Sequence, residues 1–253
     1  MSLRIAFDLD GVLADMESEL IRQAAAVFGE AMTQKLQERA QERDPQSDTN
    51  AAADDTPDAP STATLAGTTP PLVRLDMTAR QQRRLWHHVG TLDNFWEALT
   101  EIEPGAIARL AAVASEHRWE IIFLTKRPST AGATAQLQSQ RWLQSKGFPF
   151  PSVYVVQGSR GKIAAALGLD IVIDDRPENC LDVVTDSKAR AILVWRESAE
   201  ALPTAARRLG IGVVRSVNEC LDILTTVGGQ QDGQDTNVLS RIKRMLGLKP
   251  LGD

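Results

Sequence analysis

Residues 4–15 read RIAFDLDGVLAD, and the two halves of this stretch differ sharply in character. Ile5, Ala6 and Phe7 form a short apolar run that predicts a buried strand. The run is too brief, and too quickly followed by acids, for a signal peptide. Asp8 and Asp10 stand where that strand should end. They lie two positions apart, so their side chains point the same way. One carboxylate can then attack a substrate while the other, on the same side, handles protons. Gly11 follows at once and lets the chain turn.

Outward from this stretch, the chain from about residue 101 alternates strand-like and helix-like pieces. Apolar β-rich runs occupy residues 120–125 (EIIFLT), 153–156, 170–173 (DIVI), 191–195 (AILVW) and 212–214. Amphipathic patterns at 105–117, 130–146, 162–167, 177–185, 199–209 and 217–227 predict the intervening helices. Such alternation predicts an α/β protein with a parallel, Rossmann-like sheet covered on both faces, to which the run at 4–7 belongs. On this reading the core is 1–15 with 100–227, and 16–99 is a helical insertion after the first strand. Residues 17–43 read as one long helix, and 80–89 and 94–99 as shorter ones. Residues 44–71 carry Asp, Ala, Thr and Pro with almost no large apolar side chain, which predicts a disordered linker. The last part, 228–253, reads as a flexible tail with a short basic amphipathic helix (VLSRIKRMLGL, 238–248). That helix suits docking on a partner or its own domain better than a membrane surface.

Composition narrows the function classes. Of 253 residues 43% are hydrophobic and 24% charged, and the formal charge is −5. That balance fits a globular protein and offers no global attraction for nucleic acid or anionic membrane. No apolar run approaches the length of a bilayer span. Cys180 and Cys220 are far apart, without metal-ligand spacing, and read as buried thiols of a cytoplasmic protein. His87, His88 and His117 form no zinc pattern.

The residues that carry chemistry follow strand ends, where open α/β sheets bind ligands. The first end supplies Asp8 and Asp10; the second Thr125, Lys126 and Arg127 (LTKRPS, 124–129). The third is followed by GSRGK (158–162), which delivers Lys162 to a helix start. The fourth supplies Asp174, Asp175 and Arg176 (IDDRPEN, 173–179). Four acids in one cleft repel unless a cation compensates them. With oxygen ligands and no His or Cys beside them, the expected ion is Mg2+. Thr125, Lys126 and Lys162 would then face phosphoryl oxygens.

These four segments resemble the four motifs of the haloacid-dehalogenase-like phosphohydrolases. Within that superfamily, residues 8–15, NFWEALTEIEPGA (94–106) and IDDRP are similar to the 5′(3′)-deoxyribonucleotidases. The similarity spans roughly 5–15 and 95–195 and leaves the insertion poorly covered. It implies Asp8 as the nucleophile that becomes aspartyl phosphate, and Asp10 as acid and base whose backbone carbonyl helps hold the metal. It implies Thr125 and Lys162 as phosphoryl ligands, and Asp174 or Asp175 as the remaining metal ligand. The insertion then corresponds to a cap over the site, whose Phe28, Trp86, Phe95 and Trp96 either stack on a base or form the cap's own core. Lys126 and Arg127 depart from the nucleotidase pattern, which carries a small polar residue after the threonine. Two cations there point to a substrate with further negative charge. The expected activity is hydrolysis of a small phosphorylated metabolite, a nucleoside monophosphate first among them. A polynucleotide end phosphatase and a catalytically silent binding module remain as alternatives. A dehalogenase has no need of the leaving-group acid that Asp10 supplies.

Overall fold

The protein is described by a computed structural model over residues 2–42, 75–198 and 200–229. Among these, β1 (Arg4–Asp8), β2 (Glu120–Thr125), β3 (Ser152–Val155), β4 (Ile171–Asp174), β5 (Arg190–Val194) and β6 (Gly212–Val214) form one sheet. Its order is β3-β2-β1-β4-β5-β6, and every neighbouring pair is parallel. Both faces are covered, so the central strands are near-continuous apolar runs. Alternate residues still face opposite ways. Ile5, Phe7, Ile171 and Ile173 join one apolar cluster with Phe123, while Ala6, Leu124, Val172 and Leu193 join another on the opposite face. The free thiols of Cys180 and Cys220 are buried, one in each cluster.

The order of the strands places the site. The chain runs outward from β1 through β2 to β3, then returns to the other side of β1 for β4, β5 and β6. The β1/β4 boundary is therefore the switch point, where loops at the carboxyl ends diverge and leave a crevice. Phe7 pairs with Ile173, so Asp8 and Asp174 end adjacent strands at that crevice.

Helices α4 (Ala106–His117), α5 (Ala135–Ser145), α6 (Arg160–Leu167), α7 (Pro177–Asp186), α8 (Thr204–Arg208) and α9 (Val217–Gly229) flank the sheet. They follow α1 (Met16–Phe28), α2 (Glu30–Glu42) and α3 (Ala79–Thr91) of the insertion. The single helix expected over 17–43 is two helices. Gly29 breaks it with φ 85° and ψ 152°, its N–H still closing on the Ala25 carbonyl. Thr78 and Gln81 form a capping box that starts α3. Residues 94–99 form only a 3-10 turn, Phe95–Glu97, entered through left-handed Asn94. Thr134 caps α5, whose start is thereby set later than the expected 130. Leu20, Leu36, Leu85 and Val89 join the cluster on one sheet face, so the insertion shares the main core. Gly228 and Gly229 continue α9 instead of opening the tail. The linker at 44–71 and the basic helix at 238–248 lie outside the described residues. Among the described residues no helix is long and apolar enough to cross a membrane.

Candidate active site

A cleft of about 660 Å³ opens at the carboxyl ends of β1 and β4, with Asp8, Asp10, Lys126, Arg160, Asp175 and Arg176 in its lining. The loop after β1 is a tight turn. Leu13 and Ala14 N–H groups both close on the Leu9 carbonyl, and Gly11 N–H closes on Ala14. Gly11 has φ 85°, and a Cβ there would fall 1.9 Å from Asp175 Oδ2. Only glycine lets the two acidic loops approach this closely. Arg196, which the motifs did not single out, ties the turn down by donating to the Gly11 and Val12 carbonyls at 2.5 and 3.1 Å.

Lys162 is exposed and lies outside the cleft lining; the cation at the β3 loop is Arg160, with a side chain 2% exposed. Ser159 caps α6, so the helix begins at Arg160. Two residues further on, at about 100° per residue, the side chain points to the opposite flank. Gly161 seats that first turn against α7: a Cβ there would stand 2.0 Å from the Asp182 carbonyl oxygen. Arg160 Nη2 donates to Asp8 Oδ1. Its Nε stands 3.4 Å from Asp174 Oδ2, in ion-pair range but off a hydrogen-bond line, and both Nε and Nη1 are buried without a hydrogen-bond partner. A buried guanidinium with unpaired N–H groups, lining a cleft, is chemically ready for an oxyanion.

Arg127, expected beside the substrate, borders the cleft with a buried side chain turned onto Asp10. Its Nε bridges both Asp10 oxygens at 3.1 and 3.0 Å, Nη2 donates to Oδ1 at 2.8 Å, and Nη1 donates to Ser139 Oγ at 2.9 Å. The guanidinium carbon lies 4.9 Å from the centroid of Trp96 and 5.6 Å from that of Trp142. Thr125 is likewise engaged, its hydroxyl donating to Asp10 Oδ2 at 3.0 Å. Of the expected cations, Lys126, Arg127 and Arg176 line the cleft, Arg127 from a fully buried side chain. Of the aromatic candidates, Trp86 lines the cleft from α3 and Trp96 backs its wall. Phe95 is buried edge-on against Trp96 and is absent from the lining, because its position in the 3-10 turn directs it into the core.

The electrostatics explain why two arginines sit here. Burial, reinforced by Asp174, Asp175 and Asp10, pushes the Asp8 carboxyl well above the usual range, against the pull of Arg160. Burial also raises Asp174, opposed by Arg160, Asn179 and the Arg176 N–H. Asp174 is fully enclosed, with both oxygens accepting from Asn179 at 3.0 Å. Asp175 is pushed up to about 7 by burial and by the Asp174 charge. The four-acid problem is thus met partly by the protein's own cations, a solution the motifs did not reveal.

A magnesium ion fits the donors that remain. Among the described residues no three acidic, histidine or cysteine side chains gather into a metal-binding group. Magnesium does not require one, since it takes one or two carboxylates and keeps waters and substrate oxygens. Asp8, the Asp10 carbonyl and Asp175 could supply that set, with Asp174 already satisfied by Asn179 and Arg176.

No family model and no curated protein matches the chain. Solved structures do. A HAD family hydrolase from Deinococcus radiodurans, with bound phosphate and sodium, is 15% identical. It covers 90% of this chain and 96% of its own, with a TM-score of 0.50. A protein from Thermotoga maritima assigned as a beta-phosphoglucomutase is 19% identical, covering 89% of this chain and 99% of its own, with a TM-score of 0.52. At these identities the likeness shows the fold: an α/β, haloacid-dehalogenase-like core with a helical insertion after the first strand.

Proposed function

We propose that the protein is a magnesium-dependent phosphomonoesterase of the haloacid-dehalogenase-like kind, acting on a small phosphorylated metabolite. The observation that carries this reading is the buried pairing of Asp8 with Arg160, whose Nε and Nη1 keep their hydrogen-bond capacity at the edge of the cleft. An attacking carboxylate and a guanidinium fork for the attacked phosphoryl group then share one point. Asp8 attacks phosphorus and Arg160 receives the equatorial oxygens. Asp10 gives a proton to the leaving oxygen, and later takes one from the water that releases phosphate from Asp8. The metal, when bound by Asp8, the Asp10 carbonyl and Asp175, neutralises charge on the transferring group. The half-buried Trp86 and the cations Lys126 and Arg176 surround the leaving group. They suit one with a flat or apolar part and a further anion, as a nucleoside monophosphate has. Asp10 favours a phosphoester over a carbon–halogen bond, which needs no leaving-group acid.

Asp8→Asn with magnesium and p-nitrophenyl phosphate tests the reading. An amide cannot attack phosphorus at a useful rate, so turnover should vanish while thermal unfolding stays cooperative. Chelation of the wild-type protein should do the same, reversibly with magnesium and poorly with calcium, whose looser geometry misplaces in-line attack. Turnover by Asp8→Asn near the wild-type rate refutes the mechanism.

A further inference from the structure

We propose that Arg127 is the positioning residue for Asp10, holding the proton-transferring carboxylate in one orientation from an aromatic cage in the cleft wall; the inference rests on the phosphohydrolase reading above. Arg127 borders the cleft, but its side chain is 0% exposed and its nitrogens are already committed inside the protein. Each of its nitrogens is engaged, three contacts reaching Asp10 and one reaching Ser139. The cage is itself fixed. Trp96 Nε1 donates to the Pro128 carbonyl at 3.0 Å, Trp142 Nε1 donates to the Leu99 carbonyl at 2.7 Å, and Ser139 Oγ donates to the Ala135 carbonyl at 2.7 Å. A planar cation against two indoles, with each of its three nitrogens hydrogen-bonded, has little rotational freedom.

The consequence falls on Asp10, which follows its strand on a turn and is held by a single Thr125 hydrogen bond to Oδ2 besides the three contacts from Arg127. Arg127, the one charged partner and the one that reaches both oxygens, dominates the choice of rotamer. Its Nε is shared over both oxygens, so one oxygen can turn to a ligand while Nη2 keeps the other. In the first chemical step the bond from phosphorus to the leaving oxygen breaks as the Asp8–phosphorus bond forms. The proton on Asp10 passes to that oxygen. Misorienting Asp10 therefore harms a substrate in proportion to how much its leaving group needs a proton.

The test compares kcat/KM, which reports phosphoryl transfer to Asp8, for two substrates and for the wild-type and Arg127→Lys proteins. 2,4-Dinitrophenyl phosphate expels a stable anion; benzyl phosphate expels an alkoxide that must be protonated. Lysine keeps the charge and loses the fork. The variant should lose roughly ten- to a hundredfold on benzyl phosphate and at most about threefold on the dinitrophenyl ester, given the usual contribution of a positioned acid. Equal losses on both, as a purely structural role would produce, overturn the proposal, and so does no loss on either. Ser139→Ala guards against a variant that fails to fold. It removes the Nη1 anchor and the Ser139 bond to the Ala135 carbonyl, leaves the Asp10 contacts of Arg127 in place, and should reproduce the same discrimination at a few-fold level, with a cooperative thermal transition; equal effects on the two esters overturn the proposal here as well. A wild-type protein inert towards both esters with magnesium defeats the phosphohydrolase reading itself, and this inference with it.

Discussion

Arg160 and Arg127 have side chains 2% and 0% exposed, and each pairs with one carboxylate of the same Asp8–Leu9–Asp10 segment. They differ in what remains. Arg127 has every nitrogen in a hydrogen bond, whereas Arg160 keeps two nitrogens that are buried and unmatched. A buried donor without a partner costs about 1–3 kcal/mol, which on the proposed function a bound phosphoryl group would offset. On the proposed function, the contrast divides one pattern, a buried arginine on an aspartate, into a device for holding a ligand and a device for holding a side chain. It also makes each arginine's role testable against the other.

The largest effect should come from Arg160→Met. Two charge-assisted hydrogen bonds of about 1.5–3 kcal/mol each would be lost, so kcat/KM should fall roughly a hundred- to ten-thousandfold. The loss should be the same for good and poor leaving groups, unlike that of Arg127→Lys. Lys162→Ala should stay within about twofold, as surface changes usually do. If Lys162→Ala were the more damaging of the two, the phosphate ligand would be the lysine and the comparison would collapse.

A smaller effect concerns the acid that neither arginine pairs with. The Asp175 carboxyl is pushed from 3.8 to about 7 by burial first and Asp174 second. Between those values the folded protein keeps a proton that the unfolded chain has released. Stability is therefore greatest below the lower value and is lost as pH rises towards about 7. Asp8 and Asp174 are raised as well and act in the same direction. Denaturant titrations in chelator should show this decline, Asp175→Asn should flatten it, and magnesium should restore stability at the upper end. A stability that rises across that window in the chelated protein would mean Asp175 already has a counter-charge, and that the uncompensated acid has been misplaced.

The strand ends were legible because a parallel sheet confines chemistry to them, and four short motifs announce where they fall. Asp8, Asp10, Asp175 and Lys126 follow from that alone. Arg160 was legible only in part. GSRGK holds two cations, and which one faces the cleft depends on the first residue of α6. Ser159, a residue type that caps helices, is the signal that sets it, and a start at Lys162 misses this by half a turn. Arg127 was beyond local reading. Its burial requires Trp96 and Trp142, from a 3-10 turn and from α5, to close over it, and no spacing in LTKRPS carries that information. Gly29 was visible as a helix breaker within 17–43, although apolar periodicity on both sides of it predicts one continuous helix.

The smallest effect, and the finest test of the comparison, is Gly161→Ala. A Cβ at 161 would meet the Asp182 carbonyl oxygen at 2.0 Å, its carbon at 2.7 Å and Asp186 Cβ at 2.7 Å. The obstacles are mostly backbone, so α6 must shift away from α7. Overpacking of this kind costs about 1–3 kcal/mol. Alanine returns about 0.8–1.0 kcal/mol of helix propensity, leaving a net loss near 0–2 kcal/mol. The shift moves Arg160, at the first position of that helix, relative to Asp8. Arg127 sits across the cleft on the β2 loop and stays where it is. Phosphoryl transfer should therefore slow by roughly tenfold on both esters, given the sensitivity of such steps to small displacements. The ratio of rates between the benzyl and dinitrophenyl esters should stay at the wild-type value. A changed ratio would show that the two arginines are coupled through the Asp8–Asp10 turn. An unchanged rate would show that α6 accommodates the methyl without moving Arg160, and that the glycine serves only helix packing.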